Sequence, residues 1–220
     1  MQYYVDTANI EHIRHAANLG FISGVTTNPS LLAQEDPSID IKKRLLEIHA
    51  LIGGHLSVEV ISTEKEGIIR EAEEIKTWCP EAVIKIPMIA EGLAATAELH
   101  KRNIETNVTL VFSPTQALAA ANAGATYVSV FMGRLDDIAI SSEEVLEEIC
   151  NLWDIYGFNS KIIAASIRHP LHITQAARCG AHISTIPYKV IMQSLKHPLT
   201  DAGLDRFLAD NKKMNEAKNK

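Results

Sequence analysis

Residues 83–111 read VIKIPMIAEGLAATAELHKRNIETNVTLV and contain one complete unit of the pattern that decides the fold. Two short β-rich runs, 83–87 and 106–111, flank a segment, 91–102, in which apolar side chains recur at about every third or fourth position. A strand followed by a helix and a second strand is typical of parallel strands joined by a crossover. The segment therefore predicts one βα unit of a parallel sheet or barrel.

The same alternation continues in both directions along the chain. Eight runs are predicted to be strands, at 2–6, 22–26, 56–61, 83–87, 106–111, 127–131, 161–166 and 182–186. Helical patterns lie at 41–51, 64–78, 91–102, 114–123, 143–156 and 169–178. Eight such units in 220 residues predict an α/β fold, a single (β/α)8 TIM barrel that forms one domain over residues 1–220.

Residues 199–220 are expected to form a C-terminal helix and tail. The composition of 209–220, rich in Asn and Lys, favours a solvated tail over a partner-contacting extension. Hydroxyl side chains predict three helix starts: Thr63 and Ser141 each precede a glutamate by three residues, and Ser113 precedes Pro114. The alternative fold, an open doubly wound sheet, would carry a glycine-rich turn after an early strand, and no such turn follows residues 22–26.

Composition argues against several function classes. The chain has 21 Lys and Arg against 27 Asp and Glu, a net charge of −6, and no basic tract that would bind nucleic acid. It has no long uncharged apolar run for a membrane span and no recognisable signal peptide. The three cysteines, Cys79, Cys150 and Cys179, are too few for a disulfide framework, so the cytoplasm is the expected compartment.

The alternation of side chains along each strand predicts which residues face the barrel axis. In 83–87 the two isoleucines share the outer face, so Lys85 points inward. The same count, continued to the loop after 22–26, brings further side chains to the inside near the C-terminal ends of the strands: Asp6, Thr26, Asn28, Glu59, Asn107, Thr109, Ser129, Phe131 and Ser166. It places the following residues on the outer face: Val58, Val60, Val108, Leu110, Val128, Val130 and Ala165.

A convergence of charged groups inside a barrel favours a catalytic interpretation. Burial of Lys85, Glu59 and Asp6 would cost several kcal/mol per ion, and apolar residues would stabilise the barrel at least as well. Enzymes of this architecture place their active sites at the C-terminal ends of the strands. The eighth predicted strand contributes no ionisable group.

A buried lysine permits Schiff-base chemistry. Burial disfavours the ammonium form, so Lys85 is expected to attack a carbonyl as the neutral amine. The resulting iminium withdraws electrons, so a neighbouring carbon–carbon bond can break or form without a metal or cofactor. Glu59 and Asp6 are candidates for proton transfer, and the Thr109 hydroxyl could hold a water beside Glu59.

Other polar residues are candidates for substrate binding. The amides of Asn28 and Asn107 suit sugar hydroxyls. Arg134 follows the sixth predicted strand, and Ser166 and Arg168 follow the seventh. Guanidinium groups bind phosphate through paired hydrogen bonds, and loops after late barrel strands commonly form phosphate sites. The sequence therefore predicts a phosphorylated substrate.

These residues resemble the transaldolase family, in the small-subunit branch shared with the fructose-6-phosphate aldolases. The resemblance rests on segments spread over nearly the whole chain: Val5-Asp6-Thr7-Ala8, Gly24-Val25-Thr26-Thr27-Asn28-Pro29-Ser30, Ile84-Lys85-Ile86-Pro87, Glu91-Gly92-Leu93, Asn107-Val108-Thr109-Leu110-Val111-Phe112-Ser113, Gly133-Arg134 and Ala165-Ser166-Ile167-Arg168. It implies a class I aldolase-type barrel in which Lys85 forms the Schiff base. Asp6, Glu59 and Thr109 would then manage protons through a water, with no cofactor.

Two positions divide the family. The aldolase branch resembles a pattern with glutamine in place of Glu59 and tyrosine in place of Phe131, so this chain sides with the transaldolases. Asn107 and Ser129 are similar to the residues that bind the dihydroxyacetone unit. The resemblance implies transfer of that unit in the pentose phosphate pathway, from sedoheptulose 7-phosphate or fructose 6-phosphate to glyceraldehyde 3-phosphate or erythrose 4-phosphate. It also implies ring-shaped homo-oligomers, often decamers, with the stretch 201–208 packed on a neighbour.

Three alternatives remain open at this point. A fructose-6-phosphate aldolase would release free dihydroxyacetone, and a non-catalytic sugar-phosphate-binding protein would form no covalent adduct. A metal hydrolase is suggested only by two histidine pairs at helical spacing, His12 with His15 and His169 with His172. Neither pair has an obvious third ligand, so no metal is expected.

Overall fold

Parallel strands close into a barrel in the computed structural model, which describes residues 1–35 and 38–218. The eight strands of this described part are β1 (Gln2–Asp6), β2 (Ile22–Thr26), β3 (His55–Glu59), β4 (Val83–Pro87), β5 (Thr106–Val111), β6 (Tyr127–Phe131), β7 (Lys161–Ala165) and β8 (Ile183–Pro187). They pair in sequence order, and β8 closes the barrel against β1. The predicted (β/α)8 TIM barrel is confirmed.

Helices surround the barrel and connect its strands. They are α1 (Ile10–Asn18), α2 (Pro29–Leu32), α3 (Ile41–Ile52), α4 (Lys65–Trp78), α5 (Ala90–Lys101), α6 (Pro114–Asn122), α7 (Met132–Asp136), α8 (Ser142–Tyr156), α9 (Pro170–Cys179), α10 (Tyr188–Ser194) and α11 (Pro198–Lys218). Within residues 1–35 and 38–218, no helix combines the length and apolar character that a membrane crossing requires.

Two of the three predicted helix caps are confirmed. Ser113 accepts a hydrogen bond from the backbone N–H of Gln116, and Ser141 accepts one from that of Glu144. The cap predicted at Thr63 is wrong, because α4 begins after residue 64 without a side-chain cap. The preceding loop is instead tied to Glu71, whose carboxylate accepts hydrogen bonds from the backbone N–H groups of residues 61 and 62.

The main core lies between the strands and the helices. It contains the predicted outward-facing valines Val58 of β3, Val60 directly after it, Val108 of β5, and Val128 and Val130 of β6. A smaller cluster of Tyr4, Ile163 and Ile183 packs together separately, with Tyr127 against it. Because adjacent residues of a strand face opposite sides, this packing leaves the polar ends of β1, β3 and β4 facing the axis.

The predicted alternation is wrong for Leu110 and Ala165, which were expected on the outer face. A left-handed backbone, at Leu110 itself and at Ser166, explains both differences. Leu110 has φ +61° and lines the barrel mouth, because the register between β5 and β6 shifts and Val111 takes the outer position. Ser166 reaches the mouth, but Ala165 lines it as well. Strand β7 ends at Ala165, and Ser166, at φ 57°, turns inward after the strand instead of within it.

Helix α11 confirms the predicted C-terminal helical extension, and residues 209–218, expected to form a solvated tail, are helical and exposed. Helix α11 continues to Lys218, and residues 219–220 lie outside the described part of the chain. None of the residues of α11 is buried. The apolar side chains Leu204 and Phe207 are 56% and 72% exposed.

His55, at the start of β3, is held by aromatic rings. It stacks on Tyr4 with ring centroids 4.6 Å apart, and its ring meets Tyr127 edge-on at 4.7 Å. Its Nε2 lies 2.7 Å from the Ser57 hydroxyl oxygen. Burial, helped by the nearby Lys161 charge, lowers the pKa of His55 to about 4.

This histidine is expected to make the fold sensitive to acid. An unfolded histidine binds its proton near pH 6.5 and the folded one only near pH 4, so His55 makes the free energy of unfolding fall as the pH drops between these values. At pH 5 the loss is about 2 kcal/mol. Urea unfolding at pH 7 and pH 5 measures it, and the His55→Gln variant should lose correspondingly less. Equal losses in both proteins would contradict this account.

Candidate active site

Lys85 lies inside the barrel, as the side-chain alternation predicts. Its side chain is only 7% exposed, and its Nζ lies 2.9 Å from Glu59 Oε2. The two residues are direct partners in the β3–β4 register, which places both side chains next to each other on the inner face. Nζ also donates a hydrogen bond of 3.1 Å to the Thr27 carbonyl oxygen. The amine therefore has a fixed position with a carboxylate beside it.

Asp6, at the end of β1, anchors a chain of hydroxyl groups. Thr26 Oγ1 donates a hydrogen bond of 2.6 Å to Asp6 Oδ1, and Thr185 Oγ1 lies 2.6 Å from Thr26 Oγ1. Since Thr26 gives its proton to Asp6, Thr185 donates to Thr26. Burial raises the pKa of Asp6 against the opposing effects of Lys85 and the Thr26 hydrogen bond. A carboxyl group tuned in this way suits proton transfer.

Asn107 lies beneath the site and is fully buried. Ser129 Oγ donates to its Oδ1 at 2.7 Å, and its Nδ2 donates to Ser57 Oγ at 3.1 Å. Beyond Ser57 the connection continues to His55. These bonds fix the orientation of the Asn107 amide. Sequence reasoning missed Ser57, although the alternation that turns Glu59 inward also places Ser57 on the inner face. It missed Thr185 because it considered only ionisable groups on the eighth strand.

Two adjoining cavities open at the C-terminal ends of the strands. The first, of about 120 Å³, is lined by nine of the predicted residues: Asp6, Thr26, Asn28, Lys85, Thr109, Ser129, Phe131, Arg134 and Ser166. The second, of about 380 Å³, shares Lys85 with the first and adds Glu59. Thr109 lines both, and within the described residues its buried hydroxyl has no hydrogen-bond partner. A buried polar atom of this kind is ready for a water or a ligand.

Arg168 is not brought into these cavities. Its guanidinium donates to Asp137 Oδ2 at 2.6 Å, and both side chains are about half exposed. Arg134 lines both cavities, and its Cζ lies 5.1 Å from the centroid of the Phe131 ring. Asn28 also lines both, while its Oδ1 caps α2 by accepting a 2.9 Å hydrogen bond from the N–H of Leu31.

A family model described as transaldolase/fructose-6-phosphate aldolase matches residues 3–220. The chain belongs to this family. It is 56% identical over 210 residues to a protein of Heliobacterium modesticaldum named probable transaldolase, over 96% of this chain and 97% of that protein. A protein of Moorella thermoacetica with the same name is 56% identical over 214 residues, and one of Clostridium botulinum (strain Eklund 17B / Type B) is 53% identical over 216 residues. The Moorella match covers 97% of this chain and 99% of that protein, and the Clostridium match covers 98% of this chain and 100% of that protein.

The family membership confirms the resemblance inferred from the sequence. In this member of the transaldolase/fructose-6-phosphate aldolase family, an amine and an unpartnered hydroxyl line two adjoining cavities, one with the Asp6 carboxylate and the other with that of Glu59. Nucleophile and proton-transfer groups within hydrogen-bond reach form the arrangement that covalent catalysis requires. Across residues 1–35 and 38–218, His, Cys, Asp and Glu side chains form no group of three that could hold a metal ion.

Proposed function

We propose that the chain is a transaldolase, which transfers a dihydroxyacetone unit from a ketose phosphate to an aldose phosphate. The observation that carries the proposal is the buried Lys85 amine, 2.9 Å from Glu59 and in one cavity with Asp6. The donors are sedoheptulose 7-phosphate or fructose 6-phosphate, and the acceptors are glyceraldehyde 3-phosphate or erythrose 4-phosphate. These identities follow from the family resemblance.

The reaction begins with a Schiff base between Lys85 and the ketose. Glu59 removes a proton from the ammonium group, and the neutral amine attacks the C2 carbonyl. The carbinolamine then loses its hydroxyl group as water, which receives its proton from Glu59. The Thr109 hydroxyl lines the same two cavities as Lys85. In the proposed reaction it binds a water that also hydrogen-bonds to the Glu59 carboxylate.

Carbon–carbon bond cleavage is the role of Asp6. Its carboxylate removes the proton of the C4 hydroxyl, the C3–C4 bond breaks, and its electron pair moves to the iminium to form an enamine on Lys85. The shortened aldose phosphate leaves. The enamine then attacks the aldehyde carbon of the acceptor, and Asp6 returns the proton to the new hydroxyl. A raised pKa suits a group that takes up and gives back a proton in one cycle.

The phosphate group binds at Arg134 and Ser166, which line the same cavity as Lys85. Arg168 joins them by leaving Asp137. An exposed ion pair of this kind contributes about 0–1 kcal/mol, so a phosphate with two negative charges can replace the carboxylate.

Phe131 favours transaldolase activity over the alternative, fructose-6-phosphate aldolase activity. Its ring lies in the cavity wall beside the Arg134 guanidinium and 5.5 Å from the ring of Phe112. It offers no hydroxyl group that could help a water protonate the enamine. The three-carbon fragment therefore stays on Lys85 until an aldehyde arrives.

The proposed function predicts that turnover of fructose 6-phosphate depends on an acceptor. A steady-state assay with and without erythrose 4-phosphate should show release of free dihydroxyacetone at less than about a tenth of the transfer rate. The Phe131→Tyr variant, which adds a proton donor, should raise acceptor-free release by about 10- to 100-fold. Equal rates in the wild-type protein would identify an aldolase, and absence of both reactions would leave a binding protein.

We also propose a ring-shaped homo-oligomer, such as a decamer, in which α11 packs on a neighbouring copy. Exposed apolar side chains on α11 support this proposal, because the surface of a monomeric protein rarely carries so many close together. They are Leu199, Leu204, Phe207, Leu208 and Met214. The free thiols Cys79, Cys150 and Cys179 support a reducing cytoplasm as the compartment.

A single charge on α11 is expected to dissociate the oligomer. Phe207→Asp places a carboxylate in the proposed contact, so the molar mass measured by light scattering should fall towards that of one chain. The matched control, Lys212→Asp, changes an exposed polar position on the same helix and should leave the mass unchanged. An unaltered mass in the Phe207 variant would contradict the packing.

A further inference from the structure

A buried histidine joins the two loops that carry the arginines. The Nε2 atom of His172 lies 2.8 Å from Asp136 Oδ2, and its Nδ1 accepts a 3.2 Å hydrogen bond from the backbone N–H of Arg168. The His172 side chain is only 3% exposed. Asp136 is the last residue of α7, the helix that also carries Arg134. One imidazole ring therefore connects the loop after β6 to the loop after β7.

The hydrogen bonds determine where the ring proton lies. Because Nδ1 accepts the Arg168 N–H, the proton is on Nε2 and points to the Asp136 carboxylate. Burial lowers the pKa of His172, which keeps the ring neutral and Nδ1 free to accept. The Asp136 carboxylate is held in turn by Ser142, whose N–H and Oγ both donate to it, at 3.1 and 3.0 Å.

The two loops also approach each other closely at Gly133. Its N–H donates to the Ser166 carbonyl oxygen at 3.0 Å. A Cβ at Gly133 would overlap this oxygen and the Arg168 side chain. The arrangement of Arg134 and Ser166 at the cavity therefore depends on a backbone contact beside the His172 bridge.

We propose that His172 and Asp136 are positioning residues for the phosphate end of the substrate. Their hydrogen bond fixes the spacing of the two loops, so that Arg134, Ser166 and Arg168 can bind one phosphate together. This inference rests on the proposed function. We expect His172 and Asp136 to affect the binding of the phosphate group and not the formation of the Schiff base at Lys85.

The test compares the two ends of the site in three variants of His172. His172→Asn keeps an acceptor near Nδ1, His172→Gln keeps a donor that can reach Asp136, and His172→Phe removes both. Three quantities are measured: KM for fructose 6-phosphate, Ki for inorganic phosphate as its competitor, and the rate at which borohydride traps dihydroxyacetone on Lys85. The matched control is His49→Gln, at a partly exposed histidine of α3 whose Nε2 lies 3.7 Å from Glu81 Oε2.

His172→Phe is expected to raise both KM and Ki by about 10- to 100-fold. Trapping of dihydroxyacetone, which has no phosphate, should stay within about twofold of wild type. The Asn and Gln variants should fall between Phe and wild type, since each keeps half of the bridge. His49→Gln should leave all three quantities unchanged.

Unchanged KM and Ki in a folded His172→Phe protein would overturn the inference, and so would a loss of trapping parallel to the rise in KM. If His172→Phe fails to fold, KM, Ki and the trapping rate of the His172→Gln and His172→Asn variants test the inference in the same way. A wild-type protein that traps no dihydroxyacetone would overturn the proposed function itself. Normal trapping with unaltered phosphate constants in the variants would overturn the positioning role alone.

Discussion

Replacing Lys85 with methionine is expected to lower kcat for dihydroxyacetone transfer by about 10⁴-fold or more. Methionine has a similar shape and fills the space of the lysine stem, but it has no amine to attack a carbonyl. The measurement is a coupled transfer assay, together with mass spectrometry after borohydride treatment with fructose 6-phosphate. The wild-type protein should carry a reduced three-carbon adduct on Lys85, and the variant should carry none.

The control for this variant is Lys189→Met. Lys189 is exposed on α10, which follows directly after β8 at the same end of the barrel. Its replacement should leave both transfer and adduct formation intact. Adduct formation in the Lys85 variant, or loss of the adduct in the Lys189 variant, would show that another amine forms the Schiff base. Removing the Lys85 charge leaves Glu59 without its ion-pair partner, so a thermal melt should confirm that the variant is folded.

Replacing Asp6 with asparagine is expected to lower kcat by about 10³-fold, within the range for loss of a general acid–base group. The amide cannot take the proton of the C4 hydroxyl. Borohydride should still trap dihydroxyacetone on Lys85, because Asp6 acts on the carbon–carbon bond and not on the carbonyl. Loss of both transfer and trapping would place Asp6 in Schiff-base formation instead.

The pH profile of kcat/KM, which reports the ionising groups of the free enzyme, gives an independent check on Asp6. Burial raises the pKa of Asp6, so the acidic limb of the profile should lie above the range of an ordinary aspartate. The Thr26 hydrogen bond favours the carboxylate, so Thr26→Val should move this limb to still higher pH. An acidic limb that Thr26→Val leaves in place would assign it to a group other than Asp6.

The sequence predicts the barrel from the alternation of eight β-rich runs with helical patterns, and the meeting of Lys85, Glu59 and Asp6 from the strand period of two. That period is a property of the extended backbone, so it can be counted without coordinates. The count places Leu110 and Ala165 on the wrong face, because the backbone leaves the extended region at Leu110 and at Ser166. Neither residue is a glycine or an asparagine, so nothing in the local sequence indicates a left-handed conformation.

Contacts between distant loops could not be predicted from the sequence. Arg168 follows β7 as the sequence indicates, but its partner Asp137 lies 31 positions away in another loop, so the ion pair that keeps Arg168 out of the cavities could not be foreseen. The helical patterns also leave out α1 and the short helices α2, α7 and α10. Helices of four to seven residues contain too few positions to show a period of 3.6.

The close approach at Gly133 has a consequence for the lengths of sugar that the site accepts. The backbones around Gly133 and Ser166 already touch, so the loops cannot move closer together to suit a shorter substrate. In the proposed function, a ketose attached to Lys85 reaches from this amine to the two loops, and donors of six and seven carbons must fit the same space. The difference of one carbon is then absorbed by sugar conformation and by the flexible side chain of Arg134. Redesign for other chain lengths should begin with that side chain and leave the glycine in place.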